Sequence, residues 1–339
     1  MDGGTVAGGL AVAGAIGLAA LLGVSDAPNA AAALISARTG NYSQVAAWSV
    51  AWHVAGGLLA GAAVARTMVG IVHVPPHLTA AVLAAACLTS VVFTWATTHR
   101  GFPVSASVAL VGGLAGAGVV AGGTAAVDWG GLSGLRLSGV VGVLAGILLA
   151  PFLAAAVAAA LDRFARRLAY RAPRRAIGGV HAGLWVASAA VALADGTNDG
   201  QKAMGILAVS VAGTASLGAA GGIAAWERIL CAVVLAVFTV LGGRRVVARV
   251  SRGLAQGGAV DDLAAQSASA GIILLAGVVG LPLSTSTVVT SAMVGTGVTG
   301  RRHHVRWSGV LQILAMWAVT VPVSALLAAG VFELLWRLP

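Results

Sequence analysis

Apolar stretches of about twenty residues recur along the chain, each bounded by Arg, His or Pro, and a helix of that length matches the hydrocarbon thickness of a bilayer. They fall at 5–24, 45–65, 78–97, 103–127 and 138–161, and again at 176–194, 223–243, 263–280, 284–300 and 308–335. Two shorter, more polar helical stretches, 26–38 and 199–217, follow the first run of each set and read as broken or re-entrant pieces. With 59% hydrophobic and 9% charged residues the chain lacks the polar surface of a soluble domain, which is about a quarter charged. The 48 glycines lie inside the apolar runs without a Gly-X-Y period, which excludes collagen. The fold class expected is an all-α polytopic membrane protein of about ten spans plus two broken segments.

A net charge of +10 invites a nucleic-acid reading, but the location of the charges opposes it. With the N-terminus outside, Arg38, Arg100, the six Arg of 163–175, Arg244, Arg245, Arg249, Arg252, Arg301, Arg302 and Arg306 all fall inside. Outside remain Arg66, Arg136, Arg228 and Arg337, with Lys202 in a broken segment. That asymmetry is the positive-inside signal, so both termini are expected outside, the lipid bilayer is the partner and no nucleic acid is implied. The first run has no basic leader before it and reads as a retained span. Cys87 and Cys231 each lie within an apolar run and read as small core hydrophobes.

The chain also repeats itself. GFPVSASVALVGGLAG (101–116) aligns without a gap on GLPLSTSTVVTSAMVG (280–295), pairing Gly101, Pro103, Ser105, Ser107 and Gly116 with Gly280, Pro282, Ser284, Ser286 and Gly295. Upstream, SDAPNA (25–30) aligns with NDGQKA (198–203), so Asp26 matches Asp199. Five spans in each half make the second copy enter the membrane in the opposite sense. Residues 1–162 are thus expected as a first inverted repeat, 163–175 as a basic cytoplasmic linker and 176–339 as a second inverted repeat. Inverted repeats with polar, Gly/Pro-interrupted segments at matching positions mark secondary transporters.

In each Gly-Pro-Ser segment Pro suits a first helical turn, and the helix that starts there offers free N–H groups and a positive dipole end to an anion. Ser105 and Ser107, and Ser284, Thr285, Ser286 and Thr287, add hydroxyl donors. Serine also caps helices everywhere, so one copy alone would be unremarkable; two copies in inverted halves point to binding. Asp26, Asp195 and Asp199 lie within the membrane pattern, where a charge costs on the order of 3 kcal/mol or more and defaults to function. Bare carboxylates would repel an anion, so a cation or proton is expected on Asp26 and Asp199 during transport. Asn29, Asn198 and Gln201 can add amide donors or carbonyl oxygens, and Lys202 a positive charge for the anion or a balance for Asp199. For Asp195 an N-cap at the interface competes with a functional role. His53, deep in a run, reads as a satisfied core residue; no Cys/His metal spacing, phosphate loop or serine elbow occurs.

GTNDGQKAMG (196–205), SDAPNA (25–30), GFPVSAS, GLPLSTST, LGGRRVV (241–247) and WAVTVP (317–322) together resemble the inorganic phosphate transporter (PiT) family of low-affinity secondary carriers. The resemblance runs over essentially the whole chain and suggests a compact, prokaryote-like member. It implies carriage of inorganic phosphate across the plasma membrane by cation-coupled symport, with Na+ or H+ or as a metal–phosphate species, no cofactor beyond a coupling Na+, and room for a homodimer. The polar signature maps onto Asp26, Asn29, Asn198, Asp199 and Lys202, and the hydroxyl segments onto Ser105, Ser107, Ser284, Thr285 and Ser286. Ser25 stands where many members have Asn, Ala106 where they have Ser or Thr, and Val108 and Thr287 where His is frequent, so the second half keeps more of the pattern. A sulfate permease of the same fold is the near alternative. An intramembrane hydrolase using Asp26 and Asp199 as a proton-sharing pair is the remote one.

Overall fold

The computed structural model describes residues 3–26, 28–100, 102, 104–130, 132–133, 136–169, 173, 176–253, 258–299 and 307–337. Gly101 and Pro103 of the first Pro-Ser segment, residues 170–172 and 174–175 of the basic linker, and Arg301, Arg302, His303, His304 and Arg306 lie outside the described residues. The chain is nearly all helical: α1 Gly3–Ser25, α2 Pro28–Ser36, α3 Tyr42–Leu59, α4 Ala63–Val69, α5 Pro76–His99, α6 Ala106–Gly122, α7 Gly139–Ala169, α8 Ala176–Ala212, α9 Ala225–Gly253, α10 Ala259–Val279, α11 Thr285–Thr299 and α12 Trp307–Trp336. A two-stranded hairpin, Leu132–Ser133 against Arg136–Leu137, precedes α7.

Among the described residues seven helical stretches are long and apolar enough to cross a membrane, or up to eight if the bent pair Tyr42–Leu59 and Ala63–Val69 counts as one. That pair turns by 71°, so the run expected at 45–65 is broken near its end. α6 has 17 residues and α11 has 15, shorter than the 103–127 and 284–300 runs suggested. The polar stretch 199–217 is not a separate helix. α8 runs unbroken through Asp195, Asn198 and Asp199 for 37 residues, because it contains no Pro and its polar side chains find partners on other elements. Asp195 therefore caps nothing.

The packing follows the sequence repeat. α6 of the first half lies on α12 of the second, and α11 of the second lies on α7 of the first. α1 packs on α5 and α9, as α8 packs on α10 and α3. Close helix approaches recur at aligned glycines: a Cβ on Gly116 would collide with the Ala325 carbonyl, and one on Gly295 with the Ala155 carbonyl. Likewise Gly23 lies against the Leu235 carbonyl and Gly196 against that of His53. Without a hydrophobic drive between helices in lipid, such small-residue contacts are what hold a bundle together. One large apolar core gathers α1, α4, α5, α6 and the end of α8, including Leu18, Leu22, Met68, Leu110, Leu114 and Met204. A second, alanine-rich core gathers α7, α10, α11 and the middle of α8. Cys87 and Cys231 are free thiols buried in the first of these.

The α3–α8 crossing is the tightest near the polar residues, since a Cβ on Gly56 would in turn strike the Leu193 carbonyl. Gly196→Ala should lower stability by about 1–3 kcal/mol, the usual cost of overpacking. Gly8→Ala, where a Cβ meets nothing within 4 Å, should not. Thermal unfolding in detergent checks this, and equal midpoints for the two variants would contradict it.

Candidate functional site

The second Pro-Ser segment is built by the end of α10. Gly280 adopts φ 87, ψ 22, the left-handed conformation that costs glycine little, and the N–H groups of Gly280 and Leu281 both return to the Ala276 carbonyl at 2.8 Å. The chain then passes Pro282 and Leu283 before α11 begins at Thr285. The Leu281 carbonyl and the Leu283 N–H and carbonyl find no helical partner, and side chains of α8 take them. Asn198 clamps the segment, its Nδ2 donating to the Leu281 carbonyl at 3.0 Å and its Oδ1 accepting from the Leu283 N–H at 3.1 Å.

One helical turn on, Lys202 reaches the same segment. Its Nζ donates to the Leu283 carbonyl at 2.5 Å, to Asp199 Oδ1 at 2.5 Å and to Ser107 Oγ at 2.8 Å. Ser107 passes its own proton to the Leu283 carbonyl at 3.1 Å. Thr285 Oγ1 donates to the other oxygen of Asp199 at 3.4 Å. Asp199 and Lys202 are each 1% exposed, so the ion pair is closed off from solvent and joins α8, α6 and α11.

Asp26, at the end of α1, is buried beside this group. Its carboxylate is faced by the hydroxyls of Ser25 and Ser286 and lies within electrostatic reach of Asp195 and Lys202. Asp199 in turn feels Lys202, Asp195 and Asp26. Asn29, the second residue of α2, is buried with its Nδ2 unpartnered, and Gln266 of α10, whose Nε2 donates to the Asn29 carbonyl at 3.5 Å, has an unpartnered Oε1. Among the described residues no three His, Cys, Asp or Glu side chains converge as metal ligands. A cation here would rely on one carboxylate plus hydroxyl, amide and backbone oxygens, which suits a hard ion.

The remaining expected residues divide. Ser105 is the N-cap of α6, accepting from the Val108 N–H at 3.4 Å, and Ser284 pairs with Thr287 through their hydroxyls at 2.7 Å. Ser286 and Thr287 are half-buried at the start of α11. The Gln201 amide is engaged elsewhere. Its Oε1 accepts from the Val64 N–H at 2.9 Å and its Nε2 donates to the Thr197 carbonyl at 3.0 Å, which ties α8 to the start of α4.

His53 is the satisfied core residue its position suggested, but its partner was not foreseen. Its Nε2 lies 2.8 Å from Asp195 Oδ2 and its Nδ1 2.7 Å from the Ser49 carbonyl, so both ring nitrogens face oxygens. Asp195 Oδ1 has no partner. A buried His and a buried Asp on separate helices, each flagged alone, were the available signal; their pairing needed the fold. Gln266 carried no signal at all.

The Phosphate transporter family model matches residues 22–181 and 171–328. The probable low-affinity inorganic phosphate transporter of Rhizobium meliloti (strain 1021) is 30% identical over 315 residues, which is 91% of this chain and 90% of its own. Its namesake from Bacillus subtilis (strain 168) is 30% identical over 75% of this chain and 74% of its own. The one from Mycobacterium tuberculosis (strain ATCC 25618 / H37Rv) is 32% identical over 69% of this chain, but this chain spans only 55% of its length. A solved structure titled "The sodium-dependent phosphate transporter" shares the fold at a TM-score of 0.75 and 19% identity, covering 98% of this chain and 100% of that one. Membrane-length helices folded in this way, and a family model that meets both polar signatures and both hydroxyl segments, leave no place for a hydrolase: the chain is a multi-pass membrane protein and belongs to the phosphate transporter family.

Proposed function

We propose that this protein carries inorganic phosphate across the plasma membrane by cation-coupled symport. The observation that carries the reading is the buried group formed by Asp26, Asp199 and Lys202 beside the N-termini of α6 and α11. Free N–H groups and hydroxyls at those termini offer donors to an oxyanion. Three nearby carboxylates against one ammonium make the approach of an anion alone unfavourable, so phosphate enters together with Na+ or H+, or as a metal–phosphate species. Relatives named as low-affinity inorganic phosphate transporters support phosphate as the substrate.

The machine is read as two inverted halves, 1–162 and 176–339, joined by 163–175. The exchange-symmetric packing and the aligned glycine contacts support this. The seven membrane-length stretches, the bent pair α3–α4, α6 and α11 make up the ten crossings. α11 spans about 22 Å at 1.5 Å per residue, and its extended lead-in supplies the rest of a core about 30 Å thick. Both termini lie outside in this reading, Na+ is a coupling-ion candidate at Asp26, and a homodimer is the proposed assembly.

Asp26→Asn should abolish cation-driven uptake into proteoliposomes while leaving protein in the membrane; wild-type uptake and cation dependence would remove Asp26 from the coupling site. Ser286→Ala should weaken phosphate binding by about 1–3 kcal/mol for one lost hydrogen bond, read as a raised KM. Phosphate keeps a P–OH proton at neutral pH, and a carboxylate beside the anion can accept it, whereas sulfate has none to offer. A site built on such a bond discriminates strongly against the analogue lacking it. Arsenate should therefore compete with phosphate uptake and equimolar sulfate should not. Sulfate competing as well as arsenate would move the chain to the sulfate alternative. A cysteine placed in 163–175 should resist labelling by an impermeant reagent in intact cells, and labelling from outside would reverse the orientation.

A further inference from the structure

The two polar signatures are alike in spacing but not in charge. The alignment of SDAPNA on NDGQKA sets Asp26 on Asp199 and Asn29 on Lys202, and the Pro-Ser alignment sets Ser286 on Ser107. Each aspartate thus meets the serine of the other half, Asp199 through Lys202 to Ser107 and Asp26 beside Ser286. Where the second half places an ammonium, the first half has a neutral amide.

The surroundings of that ammonium are those of a bound ion. All three Nζ protons are used, on a carboxylate oxygen, a backbone carbonyl and a hydroxyl drawn from both halves. These are also the oxygen types that a hard cation selects. The group is 1% exposed and tethered, so it cannot leave with substrate. Among the described residues no ammonium or guanidinium is paired with Asp26, which Lys202 reaches only through space. The Asn29 Nδ2 and the Gln266 Oε1 are both buried without partners; Gln266 already offers an oxygen, and an amide flip would let Asn29 offer one as well.

We propose that Lys202 is a resident cation, permanently filling one of two pseudo-equivalent cation sites, so that only the Asp26–Asn29 site exchanges its ion during transport. This rests on the symport reading above and deepens it. Each phosphate then moves with one cation fewer than it would if both sites held mobile ions.

Lys202→Asn gives the second half the residue of the first and tests the proposal. The reversal potential of phosphate uptake in proteoliposomes should show one more positive charge moved per phosphate than in wild type. The double variant Lys202→Asn/Asp199→Asn, which also removes the carboxylate, should return to the wild-type number. In detergent without phosphate, Lys202→Asn should show a larger Na+-dependent rise in thermal midpoint than wild type or the double variant, because it holds one more exchangeable ion. If the variant survives extraction in Na+ but not in choline, Na+ has taken the site, as expected. An unchanged charge per phosphate with no added Na+ stabilisation, or failure to recover the variant in either salt, would overturn the proposal. Phosphate exchange by wild type with no cation gradient tests the carrier reading separately, and the thermal measurement needs no transport, so the two failures are distinguishable.

Discussion

An ion pair cannot lie in the middle of an apolar helical array unless every proton and lone pair near it is used. Breaking a buried pair by removing one partner costs about 3–5 kcal/mol, and the Asp199–Lys202 pair avoids that cost only because an interrupted backbone is brought to it. The extended stretch after Gly280 supplies a free carbonyl at Leu283, the other half supplies Ser107, and Asn198 holds the stretch in register. The break between α10 and α11 and the unbroken course of α8 are therefore two sides of one arrangement. Irregular backbone at membrane depth is tolerated only where protein satisfies it, and here a single lysine and a single asparagine do most of that.

The glycine crossings set how closely these groups can meet. Gly56 and Gly196 bring α3 and α8 into backbone contact, and His53 and Asp195 lie at that contact. The same approach at Gly23 brings α1 onto α9, which holds the Asp26 end of α1 near the centre. Small residues thus act on function indirectly, by removing the side chains that would hold the carboxylates apart.

Much of this was legible in the chain. Each Pro-Ser segment leads into a helix, with Ser105 capping α6 and α11 opening at Thr285, although Pro282, expected in the first turn, lies three residues ahead of it. Asp26, Asp199, Lys202 and Ser107 converge as their aligned positions suggested. Other features were hidden because they depend on partners distant in sequence. Residues 195–199 resembled a helix break because an exposed Asp-Gly-Thr-Asn-Asp run would be one. In the fold their polar groups are met by His53, Leu281, Leu283, Lys202 and Thr285, and the helix continues. Gln201 looked like a ligand by type, yet its Oε1 accepts from the Val64 N–H at the start of a bent helix whose break no pattern of apolar residues reveals. The His53–Asp195 pair joins residues 142 apart in sequence, a distance over which periodicity carries no information.

The central claim is that one oxyanion is held by the N-termini of α6 and α11 together, between the two halves. Solid-state 31P–15N recoupling on liposome-reconstituted protein, with phosphate bound and 15N in the backbone of 106–108 and 285–287, measures this directly. Dephasing of the phosphorus signal from both segments, at separations fitting N–H···O hydrogen bonds, is the result expected. Dephasing from one segment alone, or from neither with phosphate demonstrably bound, would contradict a shared site.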